Sequence, residues 1–444
     1  MTNFKKTYTL IQHTPILHFQ HAQGDVVLRA TEVKPKLDKY LIHGVGGWEC
    51  VPIDWRGYQE DQQSLDYKIK IWIEKKDKNS KIKEFIFTSF LKDDKVKIIE
   101  KVGIEPVKNS PYFADAENIK YNIFEECKKG LFYSIDEFTI YLSVQCFDDD
   151  LRNEIDETIG TFFLSHNFGT RQSKGFGSFT VKDCLEIPET HYSFSVDLNQ
   201  KEISTFSELF GDIDTLWKAL RSGINDNFKI DKNGKEKRKN GIYFKSILFR
   251  YAKNVRKIQW DKKTIKENFF LDVLMVQKED FKDSDILTYS ALPNPKKRLI
   301  RDMLGLATDQ KWQHNDYNNS SISKTNIGGI ITRFKSPITF KPINENGKFK
   351  VYLLSSPIPE VLYGQSFKLT SSPSSSVLNL EFPHKGEVSI IDFLEYAFCK
   401  YEGNSFFEKD ELNDEKFNYP KDPKFIRLKK ILNEIRTNAN PKQQ

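Results

Sequence analysis

Twelve consecutive residues concentrate the chemistry of this 444-residue chain: Phe168-Gly-Thr-Arg-Gln-Ser-Lys-Gly-Phe-Gly-Ser-Phe179. They bring together the glycines Gly169, Gly175 and Gly177, the cations Arg171 and Lys174, small hydroxyl side chains such as Ser178, and the aromatics Phe168, Phe176 and Phe179. Glycine lets the main chain turn at positive φ and lets another backbone come close. A turn of that kind can aim successive N–H groups at a phosphate, and two cations add charge at the same place. The aromatic rings offer flat faces for unpaired bases. The spacing does not fit a P-loop, which closes on Gly-Lys-Ser/Thr. Nor does it fit the dinucleotide fingerprint, which follows a strand and opens a helix. A turn that merely packs a helix on a sheet uses the same glycines, so both readings stand at this point.

Other residue groups invite catalytic readings. His13, His18, His21 and His43 crowd the first strand and helix, and histidine titrates near neutral pH, as a general acid/base must. Asp54 and Asp61 lie on a loop beyond that helix. Asp148, Asp149 and Asp150 have the charge for a hard cation. They immediately precede a helical pattern, however, where acids are favoured by the N-terminal dipole. The run Lys229–Asn240 gathers six cations around Gly234 and reads as a solvated hairpin tip or as a basic arm that orders on a polyanion. No residue is assigned a catalytic role, and no cofactor or metal is expected. The five cysteines include no CxxC pair.

The elements that must hold these residues follow from periodicity. Residues 4–19 alternate as a strand broken at Pro15. Leu28–Ile42 has one apolar helical face, with the regular helix expected from Pro35. Tyr67–Lys75 and Lys83–Leu91 read as a hairpin, and Ala116–Lys129 as a short helix. Phe138–Phe147 is the clearest strand, and Leu151–His166 is an amphipathic helix running into the glycine loop. Beyond His191 come a strand (Tyr192–Leu198) and helices at Ile213–Ile224, Tyr243–Arg256 and Thr264–Leu274. A basic helix follows at Lys296–Leu306 and a polar loop over 307–326. The chain closes with a strand at Lys350–Leu354, a flexible loop at Ser371–Ser376, and helices at Val388–Tyr401 and Phe425–Arg436. Net charge is +6, with 68 basic against 62 acidic residues. This permits a polyanionic partner without demanding one. No apolar run reaches the ~18 residues of a spanning helix, and the first residues lack a secretory h-region. A cytoplasmic protein without a membrane partner is expected.

The stretch Gly169-Thr-Arg171-Gln-Ser-Lys174-Gly175-Phe176-Gly177-Ser178-Phe179 resembles the glycine-rich loop of the RAMP superfamily of CRISPR-associated proteins, with Gly169 alone where a glycine pair is usual. Arg333-Phe-Lys335-Ser336-Pro337-Ile338 resembles a stretch in that superfamily's second domain. Length and two-part layout are most similar to the first subunit of a type III-B (Cmr) effector complex or a related tandem-RAMP subunit. The resemblance implies an α+β fold of two tandem ferredoxin-like (RRM-like) domains with insertions, over 1–190 and 191–444. It implies an RNA-binding subunit in antiviral defence, holding CRISPR RNA or target RNA beside other effector subunits. Gly169, Arg171, Lys174, Gly175, Phe176, Gly177 and Ser178 would contact RNA. Arg29 occupies the place of the arginine at the start of the first helix, and Lys36 and the cations of 229–239 would widen the groove. An endoribonuclease using an early histidine, and a scaffold that binds no RNA, are the alternatives.

Overall fold

Period-two alternation builds the first sheet. In a computed structural model, the described residues are 4–18, 28–58, 63–87, 105–107, 129–184, 186–196, 205–225, 228–230, 236–238, 243–269, 295–314, 317–329, 331–345, 347–372, 376–400 and 423–439. The first part of the chain runs β1 (Lys5–Gln12), β2 (Ile16–Leu17), α1 (Ala30–Gly44), β3 (Lys68–Lys75), β4 (Lys83–Phe87), β5 (Glu105–Val107), β6 (Lys129–Phe132), β7 (Phe138–Gln145), α2 (Asp149–Ser165), β8 (Phe179–Val181), β9 (Ser193–Val196) and α3 (Thr205–Arg221). Strands β3, β7, β1 and β8 form one antiparallel sheet in that spatial order. Tyr8 and Leu10 of β1 and Phe138, Ile140, Leu142 and Val144 of β7 share a face. They form one core with Val33, Leu37 and Leu41 of α1 and Leu151, Ile155, Ile159, Phe162 and Phe163 of α2. Burying each such side chain contributes about 1.5–3 kcal/mol, so both helices lie against the same face. Asp148 caps α2 by accepting from the Leu151 N–H at 2.7 Å. The acidic run therefore serves the helix start.

The chain divides into two compact units, Met1–Asp214 with Thr339–Leu354, and Thr215–Ile338 with Ser355–Gln444. Besides the first sheet, the former contains a sheet ordered β2-β6-β4-β5. It also contains a three-stranded sheet in which β9 pairs with the second strand of the hairpin Ile338–Glu345/Lys348–Ser355. The latter contains a four-stranded antiparallel sheet of Asp309–His314, Tyr317–Asn326, Ser366–Ser372 and Val377–Glu381. Its last helix, Pro423–Ala439, buries Phe425, Leu428, Ile431, Leu432 and Ile435.

Several elements depart from the sequence reading. Helix α1 begins at Ala30 and keeps Pro35 inside it, giving up one main-chain bond in its second turn. Strands β3 and β4 do not form a hairpin. β3 pairs with β7 over eight positions, Lys68↔Gln145 to Lys75↔Phe138, while β4 joins β5 and β6. Asp309–His314 and Tyr317–Asn326 are strands where a polar loop is expected over 307–326. Their inward positions include Lys324, whose Nζ donates to Asp302 Oδ2 at 2.5 Å with both side chains fully buried. Lys296–Leu306 is a two-residue strand followed by a 3₁₀ turn, Ile300–Leu304. The Leu299 N–H bonded to Glu381 O at 2.8 Å draws this segment into strand pairing. Tyr243–Arg256 opens as a short strand before turning helical, and Ser371–Ser372 end a strand. The helix expected over Ala116–Lys129 lies outside the described residues except at Lys129, which begins β6.

Candidate nucleic-acid interface

The glycine loop leaves α2 at His166 and re-enters the sheet as β8. Two of its glycines are required by space as well as by φ. A Cβ on Gly169 (φ 77°) would stand 2.5 Å from the Leu17 carbonyl oxygen, and one on Gly177 (φ 63°) 2.0 Å from the Phe168 oxygen. The main-chain donors turn inward. The N–H of Phe168 reaches Gly177 O at 2.9 Å, that of Thr170 reaches Leu17 O at 2.7 Å, and that of Gly177 reaches Pro15 O at 2.9 Å. The Lys174 N–H donates to Arg171 O at 2.8 Å, and that of Ser178 to Thr14 Oγ1 at 2.9 Å. These groups close the loop on itself and on the segment Thr14–Leu17 that follows β1. A phosphate cradle built from them is therefore not the arrangement present.

The loop has a buried half and a half-exposed half. Phe176 is fully buried, with its ring stacked on Phe210 at 4.1 Å and 10°. Its role is packing rather than an open face for a base. Ser178 Oγ donates to Pro342 O at 2.7 Å from a buried position. Gly175 and Gly177 are buried with them. Arg171 to Lys174 are partly exposed, with the Lys174 ammonium itself buried. Arg171 sits at φ 55°, a left-handed conformation that costs a side-chain-bearing residue about 1–2 kcal/mol.

The floor of the loop is polar and buried. Lys341 Nζ donates to His166 O and Phe179 O, both at 2.8 Å. Burial, with Lys36 nearby, holds its amine well below the usual lysine range. Asn167 Nδ2 donates to Gln172 O at 2.7 Å and Phe340 O at 2.8 Å. Lys36, on α1, donates to Asn167 O at 2.9 Å and Gln172 Oε1 at 2.8 Å, with its ammonium 4.6 Å from the centre of the Phe168 ring. It clamps the first helix to the loop. Arg29 stands at the start of α1, one turn before Glu32. Burial raises the Glu32 carboxyl, but His18, Lys36 and Arg29 outweigh it and leave it below the ordinary value. The charges of Lys36 and Arg29 thus act on one carboxylate, and Lys36 is hydrogen-bonded to the loop.

His13 is buried and engaged at both nitrogens. Nδ1 accepts from the Asn344 N–H at 3.1 Å, so Nε2 carries the proton to Thr180 Oγ1 at 2.8 Å. Burial, then Lys341, pushes its pKa from 6.5 down to about 3. A ring held neutral in this way does not exchange protons near pH 7. His18 Nδ1 lies 4.0 Å from Glu32 Oε1, His43 and Asp54 are exposed, and His21 and Asp61 fall outside the described residues. The basic run forms two short antiparallel strands, Phe228–Ile230 and Glu236–Arg238. Its tip is outside the described residues. Sequence reasoning missed Thr14, Asn167 and Lys341. No local pattern marks them: Thr14 and Asn167 lie outside the strands, and Lys341 stands beside Phe340 where alternation would turn it outward.

Among the described residues no group of three or more His, Cys, Asp or Glu side chains could hold a metal ion. None of the helices among them is long and apolar enough to cross a membrane. Residues 3–224 match the family model described as the Cmr1 N-terminal domain, and residues 243–419 match the Cmr1 C-terminal domain. No curated protein and no solved structure matches the chain.

Proposed function

The chain belongs to the Cmr1 family, and on that premise we propose that it holds CRISPR RNA or target RNA through the exposed half of the glycine loop. Family membership makes it a subunit of a type III CRISPR effector complex, an assembly of several subunits with RNA. The finer reading rests on Arg171. A bulky cation occupies a left-handed position that glycine would take at less cost, and backbone strain of this kind gathers at functional sites. Lys174 lies three residues on, with Lys36 and Arg29 at the adjoining helix. Because the N–H groups of Phe168, Thr170, Lys174, Gly175, Gly177 and Ser178 are engaged within the protein, phosphate contact falls to side chains. Gly169, Gly175, Phe176, Gly177 and Ser178 serve as the rigid base. Beneath the loop, the strand order β3-β7-β1-β8 with two helices on one face supports a ferredoxin-like first domain. The order Ile338–Glu345, Lys348–Ser355, β9 supports part of a second.

The test is the salt dependence of single-stranded RNA binding by the full chain. Replacing Arg171 by Gly and Lys174 by Ala should flatten the log K against log salt slope by about 0.7, the value of the one phosphate contact that Arg171 makes, since the Lys174 ammonium is buried. An unchanged slope and affinity would refute the loop reading. Absence of binding by the wild-type chain would favour a scaffold.

A further inference from the structure

The first sheet has a second face. Along β1, β7 and β3 the residues that alternate with the core positions are Lys5, Thr7 and Thr9; Tyr141, Ser143 and Gln145; and Lys68, Lys70 and Trp72. The register sets them in rows. Lys68 and Lys5 flank Gln145, Lys70 and Thr7 flank Ser143, and Trp72 and Thr9 flank Tyr141. Lys182, one position past β8, extends the last row, its N–H bonded to Thr9 O at 2.8 Å. Trp72 and Tyr141 are stacked, ring centres 5.1 Å apart and planes at 23°. Both rings are partly exposed. The ammonium groups of Lys5 and Lys70 stand 5.8 and 5.9 Å from the Trp72 ring. Lys5, Lys68, Lys70 and Lys182 are all exposed. On these rows and the next, the acid is Glu74, which accepts from Trp72 Nε1 at 3.1 Å.

We infer that this sheet face is a platform for single-stranded RNA, separate from the glycine loop, on which bases stack against Trp72 and Tyr141 while Lys5, Lys68 and Lys70 meet the phosphates. Aromatic residues on a sheet surface bind unpaired bases through their π-faces, and a rim of lysines tracks the backbone. The excess of cations over acids selects a polyanion over an acidic-patch-free protein partner. A duplex keeps its bases stacked on each other, so the aromatic pair selects an unpaired strand. Threonine and glutamine at the remaining positions supply hydrogen-bonding groups without charge. The platform shares its ligand class with the proposed function but none of its residues.

The experiment is ultraviolet crosslinking of the full chain to a labelled single-stranded oligonucleotide, with peptide mapping by mass spectrometry. It is paired with anisotropy titrations of Trp72→Leu, Lys70→Gln and the Arg171→Gly/Lys174→Ala double variant. Crosslinks on residues 68–75 or 138–147 are expected. Trp72→Leu should weaken binding about five- to a hundredfold, the range of one lost base stack, with thermal melting unchanged within a few degrees. Lys70→Gln, which leaves the aromatic pair in place, should lower the salt slope by about 0.7. Crosslinks confined to 168–179, with Trp72→Leu and Lys70→Gln binding as wild type, would overturn this inference and leave the loop reading intact. Loss of affinity in the sheet variants alone would do the reverse. Equal binding of duplex and single strand would also overturn it.

Discussion

His13 offers a test in which the structure fixes the sign and the size of an effect. Its imidazole accepts from the Asn344 N–H and donates to Thr180, an arrangement available only to the neutral ring. Folding lowers its pKa from 6.5 to about 3, through burial and the neighbouring Lys341. Between those values the unfolded chain takes up a proton that the folded chain refuses. The stability His13 contributes is therefore complete above pH 6.5 and is lost as pH falls toward 3. The slope in that window is about 1.4 kcal/mol per pH unit, so about 2 kcal/mol is gone by pH 5. His13→Gln keeps a donor near Thr180 but cannot take up a proton. It should cost about 1–2 kcal/mol at pH 7.5, for the altered hydrogen bonds. That deficit should vanish or reverse by pH 5. Urea unfolding of both proteins at several pH values across this range measures the difference, in which all other titrating groups cancel. Parallel stability curves would refute the reasoning. They would also restore His13 as a candidate acid/base, because its proton would then be exchangeable near neutrality.

Two further outcomes follow from packing. Phe176→Ala removes a fully buried ring stacked on Phe210 and should destabilise by about 3–5 kcal/mol. RNA affinity per folded molecule, measured at low temperature, should stay within about twofold, since the ring faces the core. Lys324→Met leaves Asp302 buried without its partner and should cost about 3–5 kcal/mol in urea unfolding. The double replacement Asp302→Leu/Lys324→Met should recover most of that loss, because a buried pair stabilises little beyond apolar residues of similar volume.

What could be read from sequence divides by how far the determining contact lies along the chain. Strands β1 and β7, and helix α2, were legible because their apolar periodicity reports one core face directly. The pairing of β3 was not, because its eight-position register with β7 is decided by a strand over sixty residues away and not by the turn that follows it. The strand Tyr317–Asn326 was illegible for a different reason. Its inward positions beyond Ile322 are Lys324 and Asn326, so the alternation it obeys is mostly one of burial without apolarity. The partner that makes this possible, Asp302, stands in a segment whose own sequence reads as helix. The glycine loop was visible as a loop, and its glycines do carry positive φ. The direction of its N–H groups was not visible, because Pro15, Leu17 and Thr14, which accept them, are not marked by any local pattern.

That inward turning changes how binding at the loop has to be understood. Main-chain donors contribute fixed dipoles wherever they point, and here they point at the segment Thr14–Leu17 and at the loop itself. What remains on the exposed side is the charge of Arg171, the Lys174 ammonium being buried, carried by a backbone that Gly169, Gly177 and the Lys36 clamp hold in one shape. Such a contact positions a phosphate but reads no base. A subunit that works with unpaired RNA through this loop alone would bind with a steep salt dependence and little stacking contribution. The Trp72–Tyr141 pair supplies the opposite kind of contact, salt-tolerant and dependent on flat rings. The cationic and the aromatic contacts therefore predict separable signatures in one titration series. Loop substitutions change the slope against salt, whereas loss of the Trp72 ring lowers affinity by a nearly constant factor at every salt concentration.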